Sequence, residues 1–111
     1  MQNSIQLGET VFSLDFKGYL ETFSLWTPQL MEWFAQREQV ELSREHIALI
    51  NYIRYYFEKN KVHPVVRVVA THMAEIFGKE KGTIQYFHTL FPKGIHQAYK
   101  IAGLPPVVLS V

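Results

Sequence analysis

The feature that most constrains the fold is a run of apolar residues with helical spacing between Ser43 and Asn60. Apolar side chains recur there at the intervals that place them on one face of an α-helix, at Ile47, Ile50, Ile53, Tyr56 and Phe57. Ser43 can cap this helix, and Glu45 brings a negative charge to the positive end of the helix dipole. The polar residues Asn51, Arg54, Glu58 and Lys59 are expected largely elsewhere on its surface. Other elements must cover the apolar face, so the sequence predicts packed helices.

Start and stop signals divide much of the remaining chain into further helices. Thr27-Pro28, Thr83 and Gly103 are typical of helix ends. With the run above, they delimit five predicted helices, within residues 27–39, 43–60, 65–77, 83–91 and 95–103. The third is ambiguous because its valine pairs also favour a strand, but its length and the flanking Pro64 and Gly78 favour a helix.

Residues 4–20 have a different pattern, in which apolar and polar residues alternate. Turn sites at Gly8-Glu9 and at Asp15–Gly18 predict a β-hairpin or short meander that lies on the helices. We therefore expect a mainly α (α+β) fold, a compact orthogonal bundle of about five helices with a small N-terminal hairpin. A chain of 111 residues suits one domain, predicted over residues 1–106.

The end of the chain is predicted to form an arm. Leu104-Pro105-Pro106 follows Gly103 and cannot continue a helix, because proline has no N–H to donate and favours extended geometry before it. Residues 107–111 remain as a C-terminal arm that suits the delivery of one group into a partner's cleft. A frayed terminus is the alternative.

Several segments spread along nearly the whole chain form a distinctive set: Asp15–Leu20, Trp26, Leu42–His46, Pro64–Arg67, Phe77–Gly82, Leu90–Gly94, Gln97-Ala98 and Lys100–Pro105. In this order and spacing they resemble the DsrC/TusE family of small sulfur-relay proteins. That family includes the gamma subunit of dissimilatory sulfite reductase and a carrier in tRNA 2-thiouridine synthesis. The resemblance implies the same fold. It also implies partners that are sulfur-relay proteins, sulfite-reductase-like enzymes or a tRNA-modifying complex.

The resemblance also assigns roles to three positions. The family's penultimate cysteine, which carries persulfide sulfur, corresponds to Ser110, and the second cysteine of the DsrC branch corresponds to Tyr99. Arg67 matches a position associated with the pocket that receives the arm, where a guanidinium would lower a thiolate pKa; a surface salt bridge is the alternative.

The chain contains no cysteine. A serine hydroxyl is not ionised at neutral pH and cannot form a persulfide, so the chain as written cannot carry sulfur. It is either a natural cysteine-free relative or a true persulfide carrier in which an engineered change placed Ser110 where cysteine stood. Residues 106–109 also depart from the family's run, which favours the natural relative, a docking protein with a regulatory role.

The charge is unevenly distributed along the chain. Residues 1–58 contain four Lys/Arg and eight Asp/Glu, and residues 59–111 contain seven and two, so the halves carry −4 and +5. Lys79 and Lys81 lie between two predicted helices, as in a helix-turn-helix, and the DsrC branch has been discussed as DNA-binding. A nucleic-acid-binding regulator is therefore the alternative function, unless the oppositely charged halves simply pack together.

Other chemistry is not expected. The five histidines lack the spacing of a metal site, and the sequence predicts no metal and no cofactor. No apolar run approaches the roughly 20 residues that span a bilayer, and no secretory signal is visible. We expect a cytoplasmic protein that is not catalytic alone.

Overall fold

A computed structural model describes residues 3–107, and in that range the chain folds into five α-helices and one β-hairpin. The helices are α1 (Pro28–Arg37), α2 (Arg44–Asn60), α3 (Val66–Phe77), α4 (Ile84–Leu90) and α5 (Ile95–Ile101). The strands are β1 (Ser4–Leu7) and β2 (Thr10–Ser13), and short 3-10 turns lie at Phe23–Leu25 and Lys79–Lys81. The predicted fold class is confirmed, including the helical state of the ambiguous third segment.

The hairpin forms at the predicted turn. Strands β1 and β2 pair antiparallel, with Ser4 opposite Ser13 and Leu7 opposite Thr10. Beyond β2, an isolated bridge joins Leu14 to Leu20, and the chain between them turns back at the second predicted site. The alternation places Phe12 and Leu14 in the core, so the hairpin lies on the helices through one face.

Helix α2 is central to the core, but its buried face differs from the prediction. Its buried positions are His46, Leu49, Ile50 and Ile53, which follow the spacing i, i+3, i+4, i+7. Ile47, predicted on the buried face, is 37% exposed because it lies one step along the helix, at the edge of this face. His46 is buried instead because both ring nitrogens have partners. Nδ1 lies 2.7 Å from the Ser43 hydroxyl, and Nε2 lies 2.7 Å from the Leu90 carbonyl oxygen.

Three helices begin at the predicted caps. The hydroxyl oxygens of Thr27, Ser43 and Thr83 accept hydrogen bonds from backbone N–H groups in the first turns of α1, α2 and α4. These caps set where each helix starts and therefore which side chains reach the core. In the part of the chain that the structure describes, no helix is long and apolar enough to cross a membrane.

Candidate functional site at the C-terminal root

Residues 101–105, here called the C-terminal root, connect α5 to the last residues of the chain. Helix α5 ends at Ile101, and Gly103 takes a φ of +76°, which glycine adopts without steric cost. The Leu104 N–H then donates to the Tyr99 carbonyl at 3.0 Å, and the Leu104 side chain is fully buried. The root is therefore a packed turn.

Two side chains from distant parts of the sequence bind the carbonyls at the end of α5. The Trp26 indole Nε1–H donates to the Ile101 carbonyl oxygen at 2.9 Å. The Arg54 guanidinium donates to the Ala102 carbonyl oxygen at 2.8 Å and to that of Phe23 at 3.1 Å. Helix ends leave such carbonyls without helical partners, so these side chains complete the hydrogen bonding of the root.

Arg54 lies between two aromatic rings. Its guanidinium carbon is 3.9 Å from the ring centroid of Phe23 and 4.4 Å from that of Trp26, within the range of a cation–π contact. Desolvation lowers the pKa of Arg54 to about 10, and the nearby Glu58 carboxylate acts in the opposite direction. The side chain is therefore a fixed cation at neutral pH. The sequence pattern placed Arg54 with the polar residues that lie largely off the apolar face of α2 and did not predict that its half-buried head group binds the root.

The loop before α3 holds the root from another side. The His63 Nε2–H donates to the Pro105 carbonyl oxygen at 2.6 Å, and the Tyr99 hydroxyl donates to the Pro64 carbonyl oxygen at 2.7 Å. The His63 ring packs against Phe57 and Tyr99, with centroid separations of 5.1 and 4.8 Å. The root is therefore fixed from four places: the turn before α1, helix α2, the loop before α3 and helix α5 itself.

Tyr99, which the resemblance matched to the family's second cysteine, has a phenol group that cannot replace thiol chemistry. The side chain is buried, and burial, with a smaller contribution from Tyr19, raises the pKa of Tyr99 to about 12. Its hydroxyl is thus neutral at physiological pH and donates to a carbonyl. This arrangement supports a structural role for Tyr99 at the root.

The predicted arm, residues 107–111, lies mostly outside the described residues. Ser110 and its neighbours from 108 onward are among those that the structure does not describe. Val107, the first residue of the predicted arm, is half-buried and packs against the core. Arg67 lies exposed in the first turn of α3 and is not one of the groups that hold the root.

The predicted nucleic-acid contacts, Lys79 and Lys81, lie in the turn between α3 and α4. The Lys81 ammonium is 3.0 Å from Glu45 Oε2, and the Tyr86 hydroxyl donates to Glu45 Oε1. The bond from Tyr86 and then the one from Lys81 lower the pKa of Glu45. Lys79 is exposed. Lys81 is thus paired with a carboxylate of the same chain, which reduces the positive charge that this turn presents.

Metal binding has no visible site in the structure. Within residues 3–107, no group of three or more His, Asp or Glu side chains is arranged to hold a metal ion. His63, which the sequence did not assign to any role, is used as a hydrogen-bond donor to the root. Neither His63 nor Arg54 carries a local sequence signal for this role, because their partners lie 42 and 48 residues away. For Trp26, the sequence signal was its place among the segments that carry the family resemblance.

Comparisons with known proteins identify relatives over most of the chain. The family model described as "DsrC like protein" matches residues 6–108. The sulfurtransferase TusE of Salmonella choleraesuis is 41% identical over 100 residues, which cover 89% of this chain and 92% of the relative. The sulfurtransferase TusE of Escherichia coli K12 is 40% identical over 98 residues, covering 87% and 90%.

Solved structures give the same result for the fold. Allochromatium vinosum DsrC, determined by NMR, is similar with a TM-score of 0.87 and 36% identity, covering all of both chains. The oxidised gamma-subunit of the dissimilatory sulfite reductase (DsrC) from Archaeoglobus fulgidus has a TM-score of 0.88 and 31% identity, covering 97% of this chain and 99% of the neighbour. The resemblance drawn from the sequence is confirmed.

Proposed function

We propose a docking function that starts from one premise: this chain belongs to the family of DsrC-like proteins, the sulfur-relay proteins that include TusE. In this proposal, its C-terminal arm docks in the cleft of a sulfur-relay partner. The candidates are a sulfurtransferase, a tRNA 2-thiolation enzyme and a sulfite-reductase-type enzyme. The names of the relatives support this choice, since they are called sulfurtransferase TusE and the gamma-subunit of a sulfite reductase. We place this activity in the cytoplasm.

The C-terminal root supports docking because it fixes the starting point of the arm. Hydrogen bonds from Trp26, Arg54 and His63 hold the carbonyls of residues 101, 102 and 105. The chain beyond the root therefore starts from a defined place. A partner that binds the arm then meets a root that is already fixed, which lowers the entropic cost of binding.

The absence of cysteine carries the second part of the proposal. Sulfur relay needs a thiolate that accepts and releases sulfur, and none of the 111 residues has a thiol. Activation of Ser110 as an oxygen nucleophile would need an adjacent base held in place, and it would still not form a persulfide. We therefore propose that the protein occupies the docking site of its relatives without transferring sulfur, and so acts as a regulator.

A relay reconstituted with Salmonella TusE tests docking. We expect an excess of this chain over TusE to slow sulfur transfer to a tRNA-thiolating enzyme, because both compete for one cleft. The same excess of a variant truncated after Pro105 is the control and should not compete. Unchanged transfer at micromolar concentrations of the full chain would remove the docking proposal.

Sulfur loading tests the role of position 110 separately. We expect no added sulfur on the protein or on Ser110→Ala after incubation with a cysteine desulfurase and cysteine, measured by intact mass. Ser110→Cys should gain sulfur because the root still presents the arm. A persulfide on the cysteine-free chain would contradict the proposal. A native coding sequence with cysteine at 110 would establish the alternative, a carrier with an engineered serine.

Arg67 remains the candidate for the pocket that receives the arm. Because it is exposed in the first turn of α3, Arg67→Gln is expected to leave stability unchanged. We expect it to weaken the competition with TusE by a few-fold. Equal competition by this variant and the original chain would remove Arg67 from the site.

A further inference from the structure

Phe16 is the most exposed large apolar side chain in the part of the chain that the structure describes, with 84% of its surface accessible. It belongs to the segment Asp15–Leu20, which carried the family resemblance and has no part in the C-terminal root. Tyr19 and Leu20, three and four residues further on, are buried, and Leu20 is bridged to Leu14. The exposure of Phe16 is therefore set by the folded turn around it.

The turn that carries Phe16 is closed by hydrogen bonds on both sides. The Asp15 carboxylate oxygen Oδ1 accepts from the N–H groups of Lys17 and Tyr19, both at 2.9 Å. The Asp15 N–H donates to the Tyr19 carbonyl at 2.8 Å, and Gly18 takes a φ of +87°. Such a turn holds the backbone of Phe16 in one place, so little backbone entropy remains to be lost when a partner covers the ring.

One cation lies beside the exposed ring, and a second lines the same cavity. The Lys17 ammonium is 5.7 Å from the Phe16 ring centroid. Arg37, at the end of α1, lines a cavity of about 280 Å³ together with Phe16 and Lys17. Arg37 also lines a second cavity of about 220 Å³ beside Trp33, with its guanidinium carbon 5.2 Å from the Trp33 ring centroid. Asp15, the carboxylate of the first cavity, already accepts two N–H groups. Lys17 and Arg37 therefore make this surface favour acidic ligands.

We propose that Phe16, Lys17, Trp33 and Arg37, here called the hairpin surface, bind an acidic segment of a partner protein. Aromatic and arginine side chains are those enriched where interfaces concentrate their binding energy. Carboxylates of the partner pair with Arg37 and Lys17, and an apolar side chain of the partner packs on the Phe16 ring. This inference goes beyond the function proposed above, because the hairpin surface includes neither the root nor Ser110.

NMR titration of the whole protein with a defined probe tests the proposal. The probe is a blocked hexapeptide of alternating glutamate and leucine, and its counterpart has lysine in place of glutamate. We expect the acidic peptide to shift the amide signals of residues 15–18 and 33–37 and to saturate with a Kd of about 1 mM. The lysine peptide should leave these signals unchanged.

Substitutions on the surface sharpen the test. Phe16→Ala and Arg37→Gln should each weaken binding about tenfold, which corresponds to about 1.4 kcal/mol. The matched controls are Val62→Ala and Lys79→Gln, exposed side chains of the same classes outside the surface. They should change the Kd by less than about twofold, and thermal unfolding of all four variants checks the fold.

Four outcomes of the titration would overturn the proposal. These are no shift with millimolar acidic peptide, an equal response to the lysine peptide, shifts outside the hairpin surface, and tighter binding of oligothymidylate at the same amides. The last would assign the surface to nucleic acid. Concentration-dependent dimers that Phe16→Ala abolishes, seen by sedimentation, would assign it to a second copy of the chain and would also overturn it.

Discussion

The C-terminal root and the turn between α3 and α4 are both short connections at helix ends, but different interactions hold them. Three side chains, Trp26, Arg54 and His63, bind carbonyls of the root. These carbonyls lie 75, 48 and 42 residues further along the sequence. The turn at residues 78–82 relies mainly on local backbone hydrogen bonds, such as Lys81 N–H to Gly78 and Gly82 N–H to Lys79. It adds one exposed ion pair, Lys81 with Glu45.

The difference teaches that the root depends on the whole fold, whereas the turn depends mostly on itself. Half-buried polar groups in the root lose partners when one side chain is removed, and a buried group without a partner is costly. An exposed ion pair loses little because water replaces it. Substitutions of the hydrogen-bonding and charged side chains at the two places should therefore differ strongly in their effect on stability.

The largest effect is expected for Gly103→Ala. Gly103 has a φ of +76°, and a Cβ there would lie 2.4 Å from Trp26 Cδ1 and 3.2 Å from an Arg54 guanidinium nitrogen. We expect a loss of about 3 kcal/mol of unfolding free energy, from backbone strain and overpacking together. Urea unfolding at equilibrium measures it.

Gly8→Ala is the matched control for this prediction. Gly8 has a φ of +62° in the hairpin turn, and nothing lies within 4 Å of its Cβ position. It should cost only about 1 kcal/mol, from backbone strain alone. Equal losses at the two glycines would show that close packing does not hold the root.

Arg54→Met is expected to have the next largest effect. The methionine keeps much of the apolar volume but leaves the carbonyls of Phe23 and Ala102 without their donor and removes the cation between the rings. We expect a loss of about 2 to 3 kcal/mol in urea unfolding. Arg67→Met, at an exposed arginine, should stay within about 0.5 kcal/mol. Similar losses from both would mean that Arg54 acts as an ordinary surface charge.

Tyr99→Phe should cost about 1 kcal/mol at neutral pH, because the Pro64 carbonyl loses its donor. The folded state raises the pKa of Tyr99 from 10 to about 12, so the folded protein keeps a proton that the unfolded chain releases. The stabilisation from Tyr99 is therefore complete below pH 10 and is lost as the pH rises through about 12.

Unfolding of both proteins between pH 9 and 12 measures this dependence. The difference between the original chain and Tyr99→Phe isolates Tyr99, since every other titratable group is present in both. A difference that stays constant through this range would contradict a raised pKa at this hydroxyl. Alkaline titration of tyrosine absorbance gives the independent check, because one late-titrating group should disappear in the variant.

The sequence predicted those elements whose signals are local. Five helices, the hairpin and the caps at Thr27, Ser43 and Thr83 follow from spacing and from side-chain bonds within a few residues. The exact face of α2 was missed at Ile47, because a one-residue rotation of an apolar stripe depends on what packs against it. Here the deciding contact is His46 with the Leu90 carbonyl, 44 residues away.

The candidate site was less predictable because long-range contacts build it. The family resemblance identified the region and the missing thiol, and Gly103 marked the turn. Nothing local shows that Arg54 turns away from solvent, since a polar residue on an amphipathic helix normally faces water. Its partners, Phe23, Trp26 and Ala102, meet it only after the bundle has formed.

A smaller effect again is expected for Glu45→Gln, in the ion pair next to the turn. Bonds from Tyr86 and Lys81 lower the pKa of Glu45, so the carboxylate contributes stability above its ordinary pKa of 4.5 and loses it as the pH falls through the lower, folded value. The loss on substitution should be smaller than that of any change at the root. It should also shrink in acid and in high salt, because added ions screen exposed charges.

Urea unfolding of the original chain, Glu45→Gln and Lys81→Gln at neutral and acid pH, with and without salt, checks this prediction. Lys81→Gln removes only the ion pair, which salt screens, and leaves the Tyr86 hydroxyl bonded to Glu45. Its loss of unfolding free energy should therefore be smaller than that of Glu45→Gln and should depend less on pH. A loss at Glu45 as large as that of Arg54→Met would break the contrast between the two connections, because the turn would then depend on a distant side chain as strongly as the root does.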